Sequence, residues 1–268
     1  MNREKIEALW YAVRPVIIYS ILFISVQAVL YRLVESVLIA LRADMTAYYA
    51  NWSQPAEMLI LALSVAAGLM PVFREGQREV ARVEAHRGSS AAAKNSQEKY
   101  LLIILSLGTA CLCLAINLLT GFVTRNFAVP TGVTTVSEMQ PAFLPLSAAV
   151  YGILTPFAEE LIYRGLMYAR LRESMPVRES ILLSASLFGL SHGNLRQGIY
   201  AFVMGALFAY SYEFTREFSV PFILHCMCNL LVLFLEYFHV YDNLASPFWL
   251  VLFLLTAALC ADYWRKNI

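Results

Sequence analysis

Glu159 and Glu160 are adjacent carboxylates inside the otherwise apolar stretch 142–169, and Arg164 follows four residues after the second of them. An ionised side chain in the middle of a hydrocarbon layer costs about 2.5–3.5 kcal/mol even on lenient insertion scales. Carboxylates at such a depth therefore point to chemistry. Acid-first spacing of four lets Glu160 pair with Arg164 along one helix face. Glu159, about 100° further round the helix, is then left for proton transfer. A lone Glu–Arg pair would equally fit a charge network that locks helix packing; the second, adjacent acid is what that reading leaves unexplained.

Two further polar stations follow. Phe188 and His192 are four apart, hence on one helix face, and Gly193-Asn194 directly afterwards is a helix stop. His225 and Asn229 repeat the same spacing. Taken singly, His192 fits a packing residue at a helix end, and His225 with Asn229 fits hydrogen-bonding glue between membrane helices. Depth argues against taking them singly. Counting ~1.5 Å per residue from the basic residues that mark the inner ends, Glu159 lies ~16 Å in, His192 ~21 Å, His225 ~14 Å and Asn229 ~20 Å. Independent packing residues have no reason to converge in this way.

The elements that must carry these stations are membrane helices. The chain is 59% hydrophobic and only 15% charged, where soluble domains carry about 25% charge, and its mean hydropathy is +0.61. The expected fold class is all-α, a polytopic membrane bundle of about eight spans at 13–41, 55–73, 101–123, 142–169, 179–192, 197–212, 219–237 and 246–262. Alternating the connections between two sides puts only Arg42, Arg125 and Arg196 on the outer side. The positive-inside rule then places both termini in the cytosol. The sequence from Met1 to Pro15 has no apolar core with a cleavage site and reads as a cytosolic lead-in, not a signal peptide. Residues 1–141 supply N-terminal helices with a cytosolic loop at 74–99, 142–240 the core with the polar stations, and 241–268 a last helix and tail.

Other residues fit quieter roles. The loop 74–99 mixes basic and acidic residues; its first half suits a short surface helix, and Gly88-Ser89-Ser90 suits a flexible break. A net charge of +1 and no domain-scale basic face exclude nucleic acid as an expected partner. Cys111, Cys113, Cys226, Cys228 and Cys260 all fall inside predicted spans, where thiols pack as small residues, and no disulfide framework is expected. Arg32 and Glu35 are spaced to pair with each other. His86 and His239 fit solvated or interfacial positions, and Tyr48, Tyr49, Trp52, Trp249 and Trp264 fit the interfacial aromatic belt. The outer segment 126–140 reads as an ordinary loop.

The series E-E-x-x-x-R, F-x-x-x-H and H-x-x-x-N, in that order on membrane helices, resembles the CAAX prenyl protease and bacteriocin-processing (CPBP, or Abi) family of intramembrane endopeptidases, which includes the type II CAAX prenyl proteases. Here the motifs stand as Glu159, Glu160 and Arg164; Phe188 and His192; His225 and Asn229. They lie within 142–237, and the first three spans carry no comparable signature. The resemblance implies peptide-bond hydrolysis, which needs an activated water, a proton donor for the leaving amine and stabilisation of the oxyanion. Glu159 would accept the water's proton, His192 would hold the same water, and His225 with Asn229 would bind the oxyanion. Glu160 would be an orienting acid fixed by Arg164.

The family also brings an open alternative between metal-independent glutamate and metalloprotease chemistry. A zinc site would use Glu159, His192 and His225, but no H-E-x-x-H is present and Asn229 is a poor zinc ligand. The metal-free form, with no cofactor, is therefore favoured. The expected partners are the bilayer and a membrane-associated or lipidated protein or peptide, at the plasma membrane. A proton- or ion-coupled transporter and a non-catalytic immunity-type membrane protein are the competing readings. The transporter reading predicts inverted repeats, and no internal repeat is visible.

Overall fold

The computed structural model describes residues 3–85, 96–126 and 143–267. His86, the Gly88-Ser89-Ser90 break and the connection 127–140 lie outside them. Every regular element among the described residues is helical, as the apolar runs and their lengths dictate. The protein is a helical, multi-pass integral membrane protein.

The chain divides into two compact units, residues 1–81 with 139–175 and residues 82–138 with 176–268. The first unit holds α1 (Arg3–Ala40), α2 (Met45–Asn51), α3 (Ser53–Leu69) and most of α4 (Phe73–Ala85). Asp44 caps α2 by accepting from the backbone N–H of Thr46 at 2.9 Å. The second unit is threaded by α5 (Ser96–Asn126), which is the 101–123 span with a turn added at each end.

The apolar stretch 142–169 does not form one uniform helix. It runs α6 (Leu144–Ala149), a π-helical segment Val150–Leu154, α7 (Thr155–Glu160), a second π-helical segment Leu161–Tyr168, and α8 (Ala169–Ser174). Glu159 and Glu160 are the last residues of α7, flanked on both sides by wider turns. Such π segments re-aim side chains and recur at functional positions.

The second π segment is buried throughout and is gripped by α4 through two glycines. A Cβ on Gly76 would lie 2.8 Å from Leu161 Cγ, and one on Gly165 would lie 2.9 Å from Val80 Cγ2. Neither contact leaves room for a methyl group. Gly76→Ala should therefore cost about 1–3 kcal/mol, the usual penalty of overpacking, and appear as a lowered midpoint in thermal unfolding of the purified protein.

The second unit continues with α9 (Val177–Leu190), α10 (Leu195–Thr215), α11 (Ser219–Tyr237), α12 (Val240–Leu244) and α13 (Pro247–Asn267). α5 packs against α10, α11 and α13, and α9 against α10. Its core joins Leu105, Ile116, Met204, Phe208, Leu224, Cys228 and Trp264. α9 and α10 approach closely where a Cβ on Gly189 would meet the Gly198 carbonyl oxygen at 2.8 Å, the small-residue contact common between membrane helices.

Among the described residues four helices are long and apolar enough to cross a membrane alone: α1, α5, α11 and α13. A fifth span arises if α3 and α4, bent by 68°, count together. The other three stretches expected to span are helical but interrupted (142–169), only 14 residues long (α9), or below the hydropathy threshold (α10). The stretch expected to end at residue 73 ends as a helix at Leu69, and the chain turns there into α4.

Several smaller expectations hold. Arg32 and Glu35 pair at 3.1 Å. The first half of the 74–99 loop is α4. His239 is exposed and sits at φ 55° where α12 begins. All five cysteines are free, four of them buried and Cys226 partly so. Trp264 departs from its expected boundary role, because it is buried in the core of the second unit.

Candidate functional site

In the first unit the Glu160–Arg164 pair has the geometry its spacing demands. Arg164 Nη1 donates to Glu160 Oε1 at 2.7 Å, and both side chains are 0% exposed. Complete removal of both charges from solvent requires such an ion pair, since either alone would be prohibitive there. Glu159, the preceding residue, is only partly buried. The two carboxylates thus differ in burial: Glu160 is fully enclosed with its guanidinium, and Glu159 is partly exposed.

Tyr19 on α1 adds a group to Glu159's surroundings that motif spacing could not disclose. The Glu159 carboxylate and the Tyr163 ring both act electrostatically on its phenol. The Tyr19 ring is held in place because α3 presents Gly68 to it, where a Cβ would lie 2.7 Å from Tyr19 Cδ2, and because it stacks on Phe23 at 5.7 Å. No sequence signal marks Tyr19; it is one aromatic among several in a 38-residue helix.

Arg170 closes the first-unit arrangement in a way the sequence did not suggest. It was expected to mark the cytosolic end of a span. Instead it is 2% exposed, with Nη2 donating to Glu75 at 2.6 Å, Nη1 donating to the Tyr11 carbonyl at 3.0 Å and the guanidinium 4.0 Å from the Tyr11 ring centroid. Glu75 also accepts from Arg14 at 3.0 Å, and Glu79 lies 3.7 Å from Arg170. α1, α4 and α8 are thereby tied together just beyond the segment that follows Glu160.

In the second unit Phe188 organises both histidines. Its ring meets His192 edge-on at 4.8 Å and His225 edge-on at 5.9 Å. Phe208 stacks on His225 from another side at 4.9 Å. His192 lies two residues beyond the end of α9, where Gly193 adopts φ +71° and Asn194 caps α10 by accepting from the Gln197 N–H at 2.9 Å. The Gly-Asn stop in the sequence does what its residue types require. His192 Nδ1 lies 2.8 Å from the Phe188 carbonyl oxygen. A carbonyl can only accept, so this nitrogen carries a proton, and in the neutral ring the lone pair is then on Nε2. That is the form needed to hold or deprotonate a water.

His225 is buried on α11, and Asn229 follows one turn later, partly buried. Behind them, Cys113 Sγ lies 3.2 Å from Tyr200 Oη and 4.0 Å from the Cys228 carbonyl oxygen, so two cysteines distant in sequence pack in one polar pocket. Phe188→Leu keeps the site apolar but shrinks the side chain and deletes both edge-on imidazole contacts, each worth about 0.5–1.5 kcal/mol. Its expected result is a thermal midpoint lowered accordingly, with both histidine ring signals shifted by NMR; an unmoved His225 signal would contradict the shared-ring arrangement.

Among the described residues no three His, Cys, Asp or Glu side chains gather so as to hold a metal ion.

Residues 141–231 match the family model "Type II CAAX prenyl endopeptidase Rce1-like", and all seven motif residues fall inside that range. The chain is 31% identical over 93 residues to the protein named "Putative membrane peptidase YdiL" of Bacillus subtilis (strain 168). That match covers 35% of this chain and 38% of the relative, so the chain spans little more than a third of its length. No solved structure matches. The buried Glu160–Arg164 pair and the Phe188-ordered histidines all fall inside the matched stretch, and residues 141–231 are similar to the type II CAAX prenyl endopeptidase family.

Proposed function

We propose that this protein is an intramembrane endopeptidase that hydrolyses a peptide bond in a membrane-associated or lipidated protein or peptide. The observation that carries this reading is the unequal pair at the end of α7: Glu160 is neutralised by Arg164, while Glu159 beside it is only partly buried.

Glu159 takes the proton of the attacking water. His192, with its lone pair on Nε2, orients that water or returns a proton to the leaving amine. His225 and Asn229 donate to the oxyanion of the tetrahedral intermediate, a role worth about 3–4 kcal/mol per donor in other hydrolases. Glu160 and Arg164 keep the end of α7 in place, and Tyr19 fixes the surroundings of Glu159. The reaction is metal-free, of the glutamic type. About eight spans, cytosolic termini and a plasma-membrane location complete the proposal.

Purified protein in proteoliposomes, given membrane-anchored peptides, tests it. Cleavage should survive exhaustive chelation within about twofold, with no stoichiometric zinc by elemental analysis. Loss of activity on chelation with rescue by zinc would replace the glutamic mechanism by a metal one. The scale expected from removing a catalytic zinc is far larger than twofold.

A further inference from the structure

We propose that the outer face of α4 is a docking surface for anionic phospholipid headgroups, formed by Arg74, Arg78 and Arg82. These residues are spaced at intervals of four, so they fall within about 80° of one another round the helix, and all three are exposed. The opposite face of the same helix is committed inward: Gly76 and Val80 against the second π segment, and Glu79 buried. The acids turn away from the stripe. Glu75 bonds to Arg170 and Arg14, and Glu79 lies 3.7 Å from Arg170. The three arginines of the helix thus face outward, while Glu75 and Glu79 are engaged by Arg170 and Arg14 and Glu84 accepts from the Phe218 backbone N–H at 3.0 Å.

Position selects the partner. α3 is apolar from Met58 to Leu69 apart from Ser64, and α4 leaves it at a 68° bend across a break of a few residues. A helix that turns so sharply at the end of an apolar helix runs across the level where hydrocarbon gives way to headgroups, not on into bulk water. Arginines there extend their apolar stems along the boundary and place guanidinium groups among phosphates. Each basic residue near an anionic leaflet contributes about 1 kcal/mol, falling off within a Debye length. Guanidinium also suits phosphate through paired N–H donors, which zwitterionic lipids satisfy less well because their own amines compete.

The test uses the full-length protein in detergent, titrated with phosphatidylglycerol or phosphatidylcholine, with retained lipids counted by native mass spectrometry. The wild type should retain phosphatidylglycerol over phosphatidylcholine by roughly tenfold, a preference reduced by added salt. The triple variant Arg74→Gln, Arg78→Gln, Arg82→Gln should fall to about twofold or less with an unchanged circular-dichroism spectrum. An Arg3→Gln, Lys5→Gln variant, which removes exposed charge at the other end of the first unit's sequence, should keep the preference. Equal retention of both lipids by the wild type would overturn the proposal. So would a preference that survives in the triple variant or falls equally in the Arg3/Lys5 variant. None of these readouts depends on proteolysis.

Discussion

Glu159→Gln should abolish peptide cleavage, by about 10³-fold or more, while the protein remains inserted and folded. Glutamine keeps the shape and length of the side chain but cannot accept the water's proton, and loss of a general base has effects of about 10²–10⁴-fold. Folding should survive because Glu159 is only partly buried and the ion pair that the helix depends on is Glu160–Arg164. Glu159→Asp retains the carboxylate but draws it back by a methylene; misplacement of about 1 Å can cost 10²-fold, so that variant should be crippled but measurable. Turnover of a membrane-anchored peptide in proteoliposomes, beside a thermal melt for each variant, checks both. A fall confined to KM would indicate that Glu159 binds substrate without activating water.

Arg164→Met should have the largest effect on stability. It leaves the Glu160 carboxylate, 0% exposed, without the guanidinium 2.7 Å away. Removing one member of a buried ion pair typically costs 3–5 kcal/mol, whereas replacing both by apolar groups of similar volume is often neutral. Arg164→Met should therefore unfold at a much lower temperature or fail to accumulate. Adding Glu160→Leu to it should restore much of the loss, a coupling that a double-mutant cycle reads directly. If the double variant is as unstable as the sum of the single ones, the pair is not the unit the geometry describes.

Much of this was legible in residue types. Apolar runs announced helices because backbone groups in a lipid setting must bond within their own segment. The spacing of four between Glu160 and Arg164 announced their contact, and Gly193-Asn194 announced a helix stop, although α9 ends at Leu190, two residues short of the expected end at His192. What escaped were features with no local signature. A π segment differs from an α-helix by hydrogen-bond register, not by composition, so the two that flank Glu159 and Glu160 were invisible. Arg170 carries the same charge whether it faces water or a buried acid, and only the return of α4 supplies Glu75 and Glu79 to it. The count of spans suffered for a related reason. α9, at 14 residues, covers about 21 Å, so an apolar stretch can serve a bundle without meeting the length of an independent span.

The positions of the candidate chemical groups were readable to different depths. Phe188 was expected beside His192, and their rings meet although His192 lies beyond the end of α9; its second contact, with His225 on α11, needed the tertiary fold. Tyr19 could not have been singled out at all, because its relation to Glu159 and its close contact with Gly68 of α3 are both tertiary. Tyr19→Phe keeps ring packing and removes only the hydroxyl. It should leave the unfolding free energy within about 1 kcal/mol of wild type, the net scale of one hydrogen-bonding group, while lowering kcat.

The most direct measurement is isotopic. Wild-type protein and the Glu159→Gln variant, each in proteoliposomes, are incubated with a library of membrane-anchored peptides in water enriched in oxygen-18, and the products are weighed by mass spectrometry. Hydrolysis by an activated water predicts one heavy oxygen in the new carboxyl terminus of each wild-type product, and none of these products from Glu159→Gln. Intact peptides with a folded wild type, or labelled products from both proteins alike, would contradict the account.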